Sequence, residues 1–323
     1  MTIAYMTAVS QIVDRGRNTN SYKFALLRAL AAFGKQPGSG AVTVSREWLA
    51  ERFIEFYWPI TLRFQIRQAT VPDKEPVVMR LIRAARSELK FSPETRLKDF
   101  RKRHPDRNKK LVDTTAKAAF RDVIPRFHIV AGRAVEPRLY ESIVEGIVLS
   151  SEVRAFLRRN SKTLDLLALG AWVKFTERYT SAPRLYEKIQ GLEPSRSGLK
   201  LYRQFLISRG VPHCFYCSNP CVTFPHVDHV VPWCFVAEDK VWNLVLACES
   251  CNSSKTSMTP QDRFIEKLTE RNASLLQVDE SGLPVRVRRD LVEWRGGGLA
   301  EHVHILVDRC RADGFGVWAA AQI

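Results

Sequence analysis

Residues Cys214 to Lys255 read CFYCSNPCVTFPHVDHVVPWCFVAEDKVWNLVLACESCNSSK. Two Cys-x-x-Cys pairs, Cys214/Cys217 and Cys248/Cys251, bracket an Asp228-His229 dipeptide, Asn243-Leu244 and a closing Asn252. Zinc favours four soft or borderline ligands in a tetrahedron, and Cys-x-x-Cys lets two thiolates reach one ion from a tight turn. The pairs therefore predict a structural zinc clamp on Cys214, Cys217, Cys248 and Cys251, able to hold a segment too short to bury its own core. Cys221 and Cys234 are rival ligands with poorer spacing and fit better as small buried hydrophobes. Of the seven cysteines, only Cys310 lies outside this stretch, a distribution that suits a metal site better than a disulfide framework.

Between the pairs lie groups suited to a second metal. Asp228 offers a hard carboxylate oxygen of the sort Mg²⁺ prefers, and Asn252 an amide oxygen tied to the clamp through its bond to Cys251. His229 supplies an imidazole that can take a proton from water near neutral pH. A divalent ion held by few protein ligands beside a general base is what phosphodiester hydrolysis needs. Val222 to Val231 is rich in β-branched residues and predicts a strand stopped by Pro232. Asn243 to Cys248 reads as a short apolar strand or turn, and Cys251 onward as a helix start.

The ordered pattern CxxC, DHVVP, NL, CxxCNxxK resembles the HNH endonucleases, in their zinc-stapled form with a ββα-metal core. The resemblance implies cleavage of DNA, expected double-stranded, with a monomer nicking. It implies His229 as general base, Asp228 and Asn252 as ligands of the catalytic Mg²⁺ or another divalent metal, and Asn243 as the brace of the loop that orients His229. Lys255 is expected near a phosphate. Where many family members carry a glycine-rich turn after the proline, this chain has Trp233-Cys234-Phe235 and then AEDK, so the loop shape is not inherited. His226 either faces the metal side with Asp228 or is a hydrogen-bonded framework histidine, the preferred reading. The alternative to catalysis is a zinc-stapled DNA-binding module. More loosely, NSYKFALLRAL ahead of a long helical region resembles stand-alone HNH proteins of bacterial restriction and phage-defence loci, Zorya-type systems among them, which implies protein partners from such a system.

The remaining sequence bounds the setting. With 323 residues and 45 % hydrophobic content the chain can bury one large core or several smaller ones. It has no apolar run of the roughly 20 residues a membrane span needs, and MTIAYMTAVSQIVDRGRN lacks the features of a secretory signal. A soluble cytoplasmic protein without a membrane partner is expected. The net charge of +16 and pI of 9.8 point to a polyanion. Arg96 to Lys110 carries eight Lys or Arg against two Asp, making Arg101, Lys102, Arg103, Lys109 and Lys110 candidates for nucleic-acid contact. Such a run alone is equally a solvated face; the excess over the whole chain favours contact.

The expected class is α+β: a mainly helical region, 1–195, for DNA or partner binding, a nuclease domain, 196–271, and a C-terminal extension, 272–323. Helices are predicted for Ser21 to Phe33, Val77 to Leu89, Leu199 to Ser208 and Gln261 to Arg271. Another runs from Ser45, its N-cap, to Trp58, where Pro59 should stop it. A further one, Thr163 to Tyr179, places Leu164, Leu167, Ala168, Ala171, Trp172 and Phe175 on one face. Gln190 to Gly198 has linker composition, and VRVRR (285–289) and HVHILV (302–307) are expected to add strands.

Overall fold

The structure is a computed structural model that describes residues 2–320 apart from 17, 72–73, 192–198, 211 and 222–224. Most of the expected linker, and the first residues of the expected strand at 222–231, lie outside the described residues. The chain folds as two compact units, Met1–Thr180 with Leu185–Leu192 and Ser181–Arg184 with Glu193–Ile323.

The first unit contains helices α1 (Thr2–Arg15), α2 (Tyr22–Phe33), α3 (Arg46–Leu62), α4 (Val77–Leu89), α5 (Leu97–Arg103), α6 (Pro105–Ala118), α7 (Phe120–Arg126), α8 (Ser151–Thr176) and α9 (Leu185–Gln190). Its strands are β1 (Val42–Ser45), β2 (Ile129–Val130), β3 (Arg133–Ala134), β4 (Glu141–Ile143) and β5 (Gly146–Leu149). The antiparallel order is β1-β5-β4, with β2 and β3 a separate pair. α2 lies along α8 as the central packing, and Trp172 of α8 meets Tyr57 of α3 at 5.2 Å between rings. Trp172 Nε1 donates to Gln68 Oε1 at 2.5 Å, so the large buried indole leaves no orphan donor.

Ser45 caps α3 by accepting from Trp48 N. Pro59 does not end that helix. Proline deletes one amide donor but constrains little on its C-terminal side, and the buried Ile60 and Leu62 carry the helix one further turn before Arg63 N returns to the Pro59 carbonyl. α8 begins twelve residues earlier than expected, at its own cap Ser150. Within it Leu164, Ala168, Trp172 and Phe175 face inward, whereas Leu167 is 40 % exposed.

The second unit contains α10 (Lys200–Ser208), β6 (His226–His229), α11 (Trp233–Val236), β7 (Leu244–Ala247), α12 (Glu249–Lys255), β8 (Thr259–Pro260), α13 (Asp262–Leu276), α14 (Val285–Val292), α15 (Leu299–Ala312) and β9 (Val317–Trp318). β6 and β7 pair antiparallel, with Asp228 opposite Val245 and His229 opposite Leu244. Residues 285–292 and 299–312 are helices, not the expected strands. Over a window longer than VRVRR or HVHILV the buried positions recur at helical spacing: Val287 with Leu291, then Leu299, Val303, Leu306, Val307 and Cys310. Residues 275–291 share a core with the hairpin, where Leu275, Leu283, Val287 and Leu291 pack with Tyr202, Phe205, Val241 and Leu244. Both units are thus mixed helix and strand, and among the described residues no helix is long and apolar enough to cross a membrane.

Candidate functional site

The ligand atoms of Cys214, Cys217, Cys248 and Cys251 lie within 4.8 Å of one another, close enough for all four to reach a single zinc ion. Cys248 is also the N-cap of α12, with its Sγ accepting from Cys251 N at 3.5 Å. Four thiols so close cannot all ionise unaided. Burial and neighbouring thiols hold Cys217 and Cys251 above the usual thiol range. Burial acts the same way on Cys214, but backbone N–H bonds from Cys217, Cys248 and Tyr216 outweigh it and bring that thiol down to about 7. A dication among them would favour all four thiolates together. Cys221 is buried with its Sγ directed at the Asn219 carbonyl, and burial raises it to about 11.

Successive residues of a strand point to opposite faces, so β6 sends Asp228 and His229 apart, and different elements receive them. Asp228 Oδ2 accepts from Tyr216 Oη at 2.5 Å and pairs with Lys255 Nζ at 3.1 Å. Tyr216 sits between the cysteines of the first pair. Burial and the Asp228 carboxylate hold its phenol protonated, well above the normal range, so it stays a donor. The Trp318 ring at 5.1 Å and the Phe264 ring at 5.3 Å fix it in place. Among the described residues nothing donates to the other Asp228 oxygen. The Asn252 side chain, half-buried one helical turn before Lys255, also makes no hydrogen bond there. Because Lys255 reaches β6 from α12, the i, i+3 face that also bears Asn252 is turned toward that strand.

Lys255 departs from its expected place near a phosphate. It is fully buried, and besides Asp228 its Nζ donates to the His229 carbonyl at 2.7 Å. It therefore acts inside the fold as a positioning residue, joining the two neighbours that strand geometry separates. On the other side of the strand, His229 Nε2 lies 2.9 Å from Asp239 Oδ1, with both side chains nearly buried. Asp239 comes from the AEDK loop, and the sequence reading passed over it, as it did Tyr216. Its signal was a carboxylate four residues before Asn243, in the loop where the glycine-rich turn is missing.

Asn243 is 1 % exposed, and both ends of its amide are spent on one residue: Oδ1 accepts from Val231 N at 2.8 Å and Nδ2 donates to Val231 O at 2.9 Å. It clamps the chain just beyond His229 and touches no open surface. Arg271 and Asn272 brace the same turn from α13 through the Trp242 and Leu244 carbonyls. Burial lowers Arg271 only to about 10, which leaves it charged at neutral pH. Asp290 of α14 accepts from Tyr202 Oη and Val241 N, anchoring the other end of the loop that carries Asp239. A cleft of about 230 Å³ opens beside this loop, lined by Asp239, Lys240, Trp233, Arg286 and Arg289. A cavity of about 410 Å³ near Cys214, Phe215 and Arg271 touches neither Asp228 nor His229.

The candidate nucleic-acid residues lie in the first unit, on α5 and α6. Lys102, Arg103, Lys109 and Lys110 are exposed. Arg101 is instead bound to Glu55 at 3.0 Å, so its charge is already answered.

Two family models match the chain. Residues 3–136 match a domain of unknown function (DUF8808), and residues 224–261 match a family described as HNH endonuclease. No curated protein and no solved structure matches it. The second match spans β6, β7 and α12 with Asp228, His229, Asn243, Asn252 and Lys255, and two of the four clustered cysteines fall inside it. Over residues 224–261, then, the chain is similar to the HNH endonuclease family.

Proposed function

We propose that the second unit is a metal-dependent HNH endonuclease with a ββα-metal core that hydrolyses phosphodiester bonds in DNA. The observation that carries this reading is the double fixation of Asp228-His229: Lys255 ties the carboxylate of one to the backbone of the other, while Asp239 holds the imidazole. The donor set fits a hard cation, since one Asp228 oxygen and the Asn252 amide oxygen have no partner among the described residues. Those two groups would hold a divalent ion such as Mg²⁺, which when bound would supply charge neutralisation on the phosphate and on the departing oxygen. With its Nε2 proton donated to Asp239, neutral His229 keeps its lone pair on Nδ1 and takes the proton of the attacking water there. Asp239 then lies against the imidazolium that results. Tyr216 and Lys255 keep Asp228 in one orientation, and Asn243 keeps the chain after His229 from shifting. The four cysteines would hold zinc, which would fasten the ends of the hairpin and take no part in the chemistry. One such site cuts one strand, so a monomer nicks. Bacterial restriction or phage defence is the proposed setting, on the resemblance alone.

Supercoiled plasmid incubated with Mg²⁺, Mn²⁺ or EDTA tests the proposal. His229→Ala should lose on the order of 10²- to 10⁴-fold in cleavage while keeping its zinc and its fold. Full cleavage by that folded, zinc-loaded variant would sink the assignment. The side chains of His229 and Asp228 are each only 10 % exposed, which favours a second reading, a zinc-stapled DNA-binding module. Wild-type binding without cleavage under any divalent metal would select it.

A further inference from the structure

The chain's charge is divided unequally between its two units. The first holds 34 Lys and Arg against 19 Asp and Glu, a net +15; the second holds 16 against 15, a net +1. These sum to the +16 of the whole chain. A unit near neutrality has little long-range attraction for a polyphosphate, whereas a cationic one raises both encounter rate and affinity.

Within the cationic unit, ion pairs show which charges are committed. Of the basic residues at 96–110, Arg96 pairs with Asp99 at 2.7 Å, Arg101 with Glu55 at 3.0 Å and Arg107 with Glu88 at 2.5 Å. Lys98, Lys102, Arg103, Lys109 and Lys110 are exposed and form no salt bridge among the described residues. They stand on a firm base. Phe100, fully buried in α5, packs against Trp58 at 4.8 Å, Phe91 at 5.3 Å and His104 at 5.5 Å, and α6 is seated through Leu111, Val112 and Ala116. Asp106 and Asp113 temper the charge of α6 without cancelling it.

We infer that the helical unit grips the phosphate backbone of double-stranded DNA through Lys98, Lys102, Arg103, Lys109 and Lys110 on α5 and α6, and so supplies the affinity that the nearly neutral nuclease unit lacks. Four of the five are lysines, compact point charges suited to phosphates more than to bidentate reading of base edges. A membrane surface fits worse: cationic interfacial helices pair their charges with exposed apolar side chains, and no exposed large hydrophobic lies on α5 or α6. The choice of DNA rests on the nuclease reading; the grip itself is tested apart from it, by binding in EDTA.

The test is fluorescence anisotropy of the full chain on a labelled duplex across about 50 to 200 mM KCl. Glutamine at all five positions should make the slope of log K against log[KCl] shallower by about 0.9 per lost phosphate contact, a total of about three to five. Affinity near 100 mM salt should fall by on the order of a hundredfold or more. A second variant removes equal charge elsewhere in the unit, at Arg121, Arg126, Arg133, Lys162 and Lys174, and should keep most of the slope. A third, exchanging Lys for Arg and Arg for Lys at the five positions, should match wild type and excludes a folding defect. An unchanged slope in the first variant overturns the inference, as do equal losses in the first and second. Loss of binding to phosphatidylserine vesicles with DNA affinity intact overturns it in favour of a membrane. A protein that binds in EDTA but never cuts with metal fails only the nuclease reading, and a cutter with an unchanged slope fails only this one.

Discussion

The two units are held together by different means. The helical unit rests on apolar bulk: Trp172, Tyr57, Phe53, Phe100, Phe120 and Phe127 are among its largest fully buried side chains. The hairpin of the other unit has strands of four residues and a helix of seven, and polar side chains do much of the fastening. Lys255, Asn243, Asn272 and Asp290 are almost fully buried, each spent on a carbonyl, an amide or a carboxylate. A two-stranded hairpin is marginal by itself, and a site needing carboxylate and imidazole cannot be lined with Leu and Phe. The contrast is one of degree: the hairpin buries apolar side chains too, Val230, Trp242 and Leu244 among them, but its short strands also depend on polar fastening, to which a metal cross-link would add. Zinc on the four clustered cysteines, as proposed, would be the sharpest lever on the hairpin. Structural zinc of this kind carries on the order of 10–16 kcal/mol of apparent binding free energy in small modules. Chelation, or Cys214→Ser with Cys248→Ser, should abolish hydrogen-exchange protection across residues 226–255 and leave the α8 amides protected. If zinc-free protein, verified by metal analysis, kept 226–255 protected, the contrast would be wrong.

That contrast also explains which parts could be read in advance. The helices of the first unit follow apolar periodicity, so Val77–Leu89 has its expected limits and Ser45 its expected capping role. The four cysteines were legible because metal ligation demands fixed spacing. Asp239, Tyr216 and Asp290 were not, because their roles depend on partners 10, 12 and 88 residues away in sequence. Lys255 misled for a related reason: a lysine is normally exposed, and only the assembled core shows a carboxylate and a carbonyl inside to receive it. The C-terminal helices were mistaken for strands because Val alternating with Arg at 285–289, and with His at 302–304, imitates period two over a few residues.

A smaller lever acts on the helical unit. His128 is 6 % exposed and accepts at Nε2 from Leu139 N at 2.9 Å, a bond only the neutral ring can accept. Burial, reinforced by Arg138 and Lys23, lowers its pKa from 6.5 to about 4. The sign follows from linkage: below pH 6.5 the unfolded chain takes up a proton that the folded one refuses until about pH 4. Stability is thus unaffected above that window and should fall by about 3 kcal/mol as pH drops through it. Urea titrations between those pH values, followed by exchange at α8 amides, measure it. His128→Gln, which keeps an acceptor and cannot titrate, should flatten the dependence on pH; an equal slope in that variant would remove His128 from the account.

The subtlest change probes the polar fastening itself. Asp239→Asn keeps the size and one hydrogen-bonding oxygen but loses the charge facing the His229 ring. If the loop merely needs a partner there to fold, the amide should serve, and nicking should continue at the wild-type rate. If Asp239 sets the tautomer and balances the imidazolium formed as water is deprotonated, kcat should fall by about tenfold to a hundredfold. Zinc content, exchange protection of β6 and DNA affinity in EDTA should all stay at wild-type values. Asp239→Glu, which restores charge with one extra methylene, should recover part of the rate. A loss that appears in KM, or together with lost protection of β6, would make Asp239 a structural loop residue. The polar network would then be fastening alone, and the difference between the units would be one of stability and not of chemistry.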